Sequence, residues 1–444
     1  MLAAQADLAV RRQLLERVSD ARSRSDALFD IVRPNSLYER PIPERHRIIF
    51  YIGHLEAFDW NLLHENVLEL KSFHPQFDRL FAFGIDPVGG GLPNDQPSDW
   101  PALDAVRDYV SRIRKAIDEK LANGDLESFS QGREGFPLDT LLNVSIEHRL
   151  MHVETLAYML HQLPLDNKIQ DKDSPVLAMP PVPPQMIHVP AGVATLGLSR
   201  TSEDFGWDNE YERQSVRVPA FAIDRYEVTN GQYLDFMAAG GYETRSLWSD
   251  EDWNWKSARA ISHPVFWRKN GNGWYYRTMF EEIPLPMSWP VYVSHAEALA
   301  YARWAGKELP TEAQWHRAAY GTADGSERTY PWGSQRPASP LGNFDFSHWD
   351  PTPVNAFPQG RSAFGVDDML GNGWEWTSTV FGPFPGFEPF PFYRGYSADF
   401  FDSKHFVMKG GSTRTAACML RPTFRNWFQS HYQYVYAGFR CVNS

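Results

Sequence analysis

Fourteen of the sixteen tryptophans in this 444-residue chain fall after residue 180, and only Trp60 and Trp100 precede it. A chain whose largest side chains are confined to one part is not built around one uniform core, and its length already exceeds that of an ordinary single domain. The shift therefore marks two differently built units. Between them run the polar residues 165–174 and the Pro-rich segment Met179-Pro-Pro-Val-Pro-Pro184, which cannot continue a helix. The expected division is residues 1–165, a linker at 166–184, and residues 185–444.

In the first unit, apolar residues recur at three- and four-residue spacing over 6–32, 43–65, 102–122 and 138–163. Pro43 suits a first helical turn and Asp139 a helix start, so a four-helix bundle is expected. The stretch from Phe83 to Asn94 is a loop by its Gly and Pro content, long enough for an active-site wall and equally able to be a connector. The second unit mixes short β-like runs, such as 217–223, with Gly-, Pro- and aromatic-rich loops, and has few helical stretches, one of them Ser294 to Ala305. An irregular α+β domain is expected there, without internal repeats.

The balance of 43 basic against 55 acidic residues, net -12, with no Lys/Arg stripe, argues against nucleic acid as a partner. Charges punctuate the first thirty residues and no uninterrupted apolar run of about 18 residues occurs, so neither a secretory signal nor a membrane span is expected. The two cysteines, Cys418 and Cys441, are too few for a disulfide-stapled scaffold and fit a reducing, cytoplasmic setting.

The sharpest local signal is Glu147-His148-Arg-Leu-Met-His152-Val-Glu154, inside the fourth expected helix. Residues four apart differ by about 40° around a helix axis, so both imidazoles can meet one metal ion. Glu154 falls about 200° beyond His152 and belongs to another face, where a supporting or interhelical role is expected. The glutamate precedes the first histidine, so this is not the zinc-protease pattern. His54, amid aromatic and apolar neighbours in the second expected helix, is the candidate third ligand, since facing helices of a bundle commonly build metal sites. Three neutral imidazoles leave open positions that suit iron(II), though zinc accepts the same set. Histidines at this spacing also occur on solvated faces, and a lone buried histidine is commonly only a core residue.

Five phrases in the second unit resemble the formylglycine-generating-enzyme, or sulfatase-modifying-factor, family: Asp224-Arg-Tyr-Glu-Val-Thr-Asn230, Gly306-Lys-Glu-Leu-Pro-Thr-Glu-Ala-Gln-Trp315, Leu370-Gly-Asn-Gly-Trp-Glu-Trp376, Gly410-Gly-Ser412 and Ala437-Gly-Phe-Arg440. The resemblance implies a C-type-lectin-like architecture. That family's oxidases use a cysteine pair where this chain has Thr415 and Leu420, which speaks against formylglycine formation. The first unit resembles the DinB-like four-helix bundle. The fusion of the two is the layout of the EgtB-type ergothioneine-biosynthesis sulfoxide synthases and their ovothiol and selenoneine relatives.

That resemblance implies an iron(II) cofactor on His54, His148 and His152, and a substrate pocket where bundle and second domain meet. Arg425-Asn426-Trp427 matches a phrase whose asparagine holds the carboxylate of the histidine-derived substrate. Tyr393 and Tyr396 match a Tyr-Arg-x-Tyr-Ser phrase whose first tyrosine donates a proton during oxygen reduction and whose second lines the betaine pocket. Phe428 stands where the γ-glutamylcysteine-using branch has an aspartate, and the 83–94 loop lacks that branch's arginines, so free cysteine is the expected thiol. Met151 replaces a glutamine near the trimethylammonium group, which leaves hercynine and histidine both open as substrates; its thioether can still contact a soft cation. A binding module, in which a lectin-like domain captures a ligand without chemistry, is the expectation from a different class.

Overall fold

The computed structural model describes residues 2–64, 67–82, 93–123, 138–170 and 176–443, with side chains from residue 12 onward. The 83–94 loop lies outside the described residues except for its last two. The chain divides into two compact units, Met1–Asp171 and Lys172–Ser444.

The first unit is helical, with α1 (Leu2–Asp30), α2 (Ile48–Leu63), a short α3 (Pro75–Leu80), α4 (Leu103–Asn123) and α5 (Leu138–Gln162). Helix α1 lies along α5, and α2 packs on both α4 and α5. The outer helices are amphipathic in the ordinary way: Leu14, Val18, Ala21 and Leu28 of α1, and Val106, Tyr109, Ile113, Ile117 and Leu121 of α4, form one buried stripe each. Every large apolar side chain so buried contributes about 1.5–3 kcal/mol. Helices α2 and α5 are buried nearly all round, so their polar residues must find partners inside the unit.

Helix α2 starts at Ile48, not around Pro43. The amides of Ile48 and Ile49 donate to the carbonyls of Glu39 and Leu37 at 3.1 and 2.7 Å, while the Arg47 guanidinium bonds to the Tyr38 carbonyl and to Asp95. These bonds satisfy the open N-terminal donors of the helix and hold residues 43–47 as a turn.

The described residues of the second unit form four small sheets. One pairs β1 (Met186–Val189), β4 (Phe221–Asp224) and β12 (Val442–Asn443); another runs in the order β10 (Asn426–Gln429), β9 (His405–Gly411), β8 (Gly373–Val380), β11 (Ala437–Gly438). Strands β2 (Gly192–Leu196) and β3 (Gln214–Val218) form a pair, and β5 (Trp267–Asn270), β6 (Gly273–Arg277) and β7 (Glu282–Pro284) a three-stranded meander. The β-like run 217–223 is split between β3 and β4, because Pro219 has no amide to donate to a ladder. Between the strands lie α6 (Asn230–Ala238), α7 (Asp250–Ala258), α8 (His295–Trp304), α9 (Glu312–Tyr320) and α10 (Gly395–Ala398), more helix than the sequence displays. Ser294 and Thr311 start α8 and α9 with capping boxes completed by Glu297 and Gln314.

Six of this unit's tryptophans (207, 267, 289, 315, 374 and 376) are fully buried. Buried indole N–H groups need acceptors: Trp315 donates to Glu375 at 2.9 Å, Trp376 to the Val293 carbonyl at 2.9 Å, and Trp289 to the Leu177 carbonyl at 2.7 Å. Glu375 also takes a two-pronged bond from Arg440 at 2.6 and 2.7 Å, and Arg440 reaches the carbonyls of Asp224 and Arg225. A Cβ on Gly438 would stand 2.5 Å from a carboxylate oxygen of Glu227. Four of the five recurrent phrases thus meet around one buried carboxylate, which makes them a scaffold signature and not a reaction centre.

Candidate metal centre

His54 sits in the middle of α2, and His148 and His152 one turn apart on α5. The packing of α2 against α5 brings Nε2 of His152 to 3.2 Å from Nε2 of His54 and 3.2 Å from Nε2 of His148. All three side chains are buried, and their ligand atoms lie within 4.8 Å of one another. Among the described residues this is the one group of three or more metal-ligating side chains that converges in this way.

Nδ1 of His54 donates to the Phe81 carbonyl at 2.6 Å, so its Nε2 carries the lone pair and faces the other two rings. Burial drives the pKa of His54 down to about 4, its bond to Phe81 opposing the shift. Burial, together with the neighbouring imidazoles, holds His148 and His152 well below the usual histidine range. The three rings are therefore neutral, the form that binds metals. Where the Nε2 atoms 3.2 Å apart carry lone pairs they repel one another, and a cation between the rings removes that repulsion. The donor set fits a divalent transition metal with positions left open for other ligands, and no carboxylate reduces its charge.

Aromatic rings wall the group. Phe58 stacks on His148 at 3.4 Å between centroids, Phe50 on His54 at 4.8 Å, and Tyr51 lies 5.8 Å from His152. Arg149, next to His148, pairs with Glu56 at 3.0 Å and Asp59 at 2.6 Å, and Arg114 links Glu56 to Asp26. Glu154 is buried on α5 outside the three-nitrogen group, and Met151 is half-buried on the same helix.

The other anticipated site residues belong to the second unit, where several form one aromatic cluster. Trp427 stacks on Phe381 at 4.1 Å and meets Tyr396 edge-on at 5.4 Å; Tyr396 lies over Trp207 at 4.0 Å and beside Tyr393 at 5.4 Å. Ser397 donates to Asp208, whose carboxyl burial pushes up in pKa, and accepts from Asn209 at 3.0 Å. Asn426 opens β10, and its side-chain oxygen accepts from the Trp427 amide at 2.9 Å. Phe428 stacks on Tyr432 at 4.9 Å. Arg425 is buried, forks onto Glu312 at 2.9 and 3.1 Å, and donates to the carbonyls of Asn209 and Gly382. Trp207, Asp208 and Phe381 were not singled out from the sequence; the acidic triplet Asp208-Asn-Glu210 after an indole was the one available cue.

Residues 17–156 match the DinB superfamily, and residues 175–444 match the sulfatase-modifying factor enzyme 1-like domain. The chain is 33% identical over 443 residues to a hercynine oxygenase of Mycolicibacterium smegmatis, covering 97% of this chain and 98% of that protein. It is 42% identical over 248 residues to a hercynine oxygenase of Mycobacterium tuberculosis, covering 55% of this chain and 57% of that protein. A formylglycine-generating enzyme of Mycobacterium tuberculosis is 31% identical over 313 residues, covering 58% of this chain and 97% of its own length. A helical bundle with a buried three-histidine iron(II) site, joined to a sulfatase-modifying-factor domain, defines a non-haem iron oxidoreductase. The chain belongs to the hercynine oxygenase family. No described helix is long and apolar enough to cross a membrane.

Proposed function

We propose that this chain is an oxygen-dependent sulfoxide synthase that joins the sulfur of cysteine to the imidazole of hercynine. In the balanced reaction the imidazole C–H and the thiol S–H are lost, a C–S bond forms, one oxygen atom stays on sulfur and the other leaves as water. The observation that carries this reading is the convergence of the His54, His148 and His152 Nε2 atoms in a buried, uncharged cluster. Iron(II) held there would supply electrons to oxygen and lower the pKa of a thiol bound to it.

Several side chains have the chemistry for the remaining work. Because the Asn426 oxygen is engaged by the Trp427 amide, its N–H groups are what it offers a substrate carboxylate, without adding charge. Tyr396 and Trp427 present ring faces and edges suited to a trimethylammonium group. The thioether of Met151, on α5 of the first unit, is a group able to contact a soft cation. Tyr393 is assigned as the proton donor to reduced oxygen. Arg425 holds Asn426 in place through Glu312 instead of meeting substrate itself. Phe428 leaves an apolar surface that favours free cysteine over γ-glutamylcysteine.

The test is oxygen uptake and mass-spectrometric product analysis of the iron-loaded chain with hercynine or histidine, paired with cysteine, γ-glutamylcysteine or a selenosugar. Hercynine with cysteine should give the sulfoxide. Product from histidine or the selenosugar alone would move the assignment to an ovothiol or selenoneine type. Absence of both oxygen uptake and product would leave a binding module. A Tyr393→Phe variant should shift turnover towards simple thiol oxidation, and unchanged C–S product would remove Tyr393 from that role.

A further inference from the structure

We infer that Gly53 and Phe81 together set the orientation and tautomer of His54, which makes Phe81 a positioning residue for the metal centre; this rests on the three-histidine reading above. Phe81 engages two consecutive residues of α2. Its carbonyl accepts from Nδ1 of His54 at 2.6 Å, and its ring lies flat against Gly53. A Cβ at position 53 would stand 2.5 Å from Cδ1 and 2.6 Å from both Cγ and Cε1 of that ring, closer than real Cβ contacts. Glycine is the poorest helix former short of proline, so one in the middle of a buried helix calls for a steric reason, and this ring provides it.

The ring has little freedom to yield. It is closed in by Phe77 at 5.5 Å, Tyr109 at 6.0 Å and Trp100 at 6.3 Å between centroids. Its helix is tied down as well: the Asp78 carbonyl accepts from Asn61 of α2 at 3.1 Å, and the Asp78 carboxylate accepts from Tyr109 of α4 at 2.7 Å. A methyl group at position 53 is therefore relieved by movement of the Phe81 main chain, and that movement draws the carbonyl away from His54. Without the acceptor the ring can rotate, or move its proton to Nε2, and either change removes a lone pair from the metal site.

The intact chain, freed of metal and titrated with cobalt(II) against a competing chelator, reads this directly through affinity and the visible cobalt spectrum. Gly53→Ala should weaken cobalt binding about 10- to 100-fold and alter its spectrum, the range found when a group supporting a metal ligand is lost. A second change in that background, Phe81→Ala, keeps the carbonyl but removes Cγ, Cδ1 and Cε1, the three atoms that the new methyl group would meet, and should restore most of the affinity. Thermal melting of the metal-free proteins separates this from a general loss of packing, which would lower stability without rescue of cobalt affinity by Phe81→Ala. Parent-like affinity in Gly53→Ala, or a loss that Phe81→Ala leaves untouched, overturns the inference alone. A parent chain that binds no cobalt overturns the three-histidine reading, and this inference with it.

Discussion

Arg149 donates to the Asp59 carboxylate at 2.6 Å, with both side chains only 2% exposed, one residue along from the ligand His148. The same guanidinium reaches Glu56 at 3.0 Å, so the charge of one α5 residue is shared between two acids of α2.

Burial raises both acids, but the guanidiniums of Arg149, Arg114 and Arg22 overcome it for Glu56, which ends below the usual carboxylate range, while Asp59 ends above it. Glu56 is thus the more fully engaged anion. Glu56→Gln should cost about 3–5 kcal/mol, as expected when one partner of a buried ion pair is neutralised. Asp59→Asn should cost about 1–3 kcal/mol, nearer the loss of a hydrogen bond. Urea unfolding of both variants checks the order, and equal costs would contradict it.

The metal-free protein should lose stability in mild acid. His54 has a folded pKa of about 4 and an unfolded value near ~6.5. Between these values the unfolded chain binds the extra proton, so stability falls as pH drops through that window, by up to ~3 kcal/mol from this residue. His148 and His152, shifted in the same direction, steepen the loss. Denaturation midpoints measured between pH 7.5 and 4.5 should decline, with most of the fall below pH 6.5.

Metal binds the native state through residues of two helices and should raise the melting temperature. At a metal concentration of 100 Kd the gain is about 2.7 kcal/mol. Chelation should abolish it, and His152→Ala, which removes the nitrogen closest to both others, should melt at the same temperature with and without metal. Differential scanning calorimetry with and without iron(II) under anaerobic conditions tests this.

Arg425 forks onto Glu312 across sheet and helix, and a lysine cannot reproduce two parallel bonds. Arg425→Lys should therefore misplace the adjacent Asn426, raising KM for the imidazole substrate about tenfold or more while changing kcat less. Steady-state kinetics decide it; a kcat loss with unchanged KM would instead place Arg425 at the reacting atoms.

The bundle was legible because the stripes of α1 and α4 repeat over many turns, and His148 and His152 were legible because their spacing lies within one helix. Pro43 misled as a helix start, since the carbonyls that open α2 come from Leu37 and Glu39, a tertiary arrangement that no local signal announces. Helix α3 went unseen at six residues, too short for periodicity. The partners of Arg149 lie on another helix, and the acceptor for His54 is a main-chain oxygen, which every residue type possesses. In the second unit, strands of two to eight residues leave little alternation to read, so the recurrent phrases carried the fold. Asp208 escaped notice because its link to Ser397 spans 189 positions of sequence.

The bond from the Trp289 indole to Leu177 bears on how the gene is cut. Leu177 stands in the stretch that composition assigns to the spacer, yet its carbonyl is the acceptor for a wholly enclosed indole. A shorter coding region beginning at the first strand would strip that acceptor away and leave the N–H stranded, at a cost of about 1–3 kcal/mol. Expression of the tryptophan-rich half by itself should open upstream of residue 177, and yields of folded material from the two start points would register the difference.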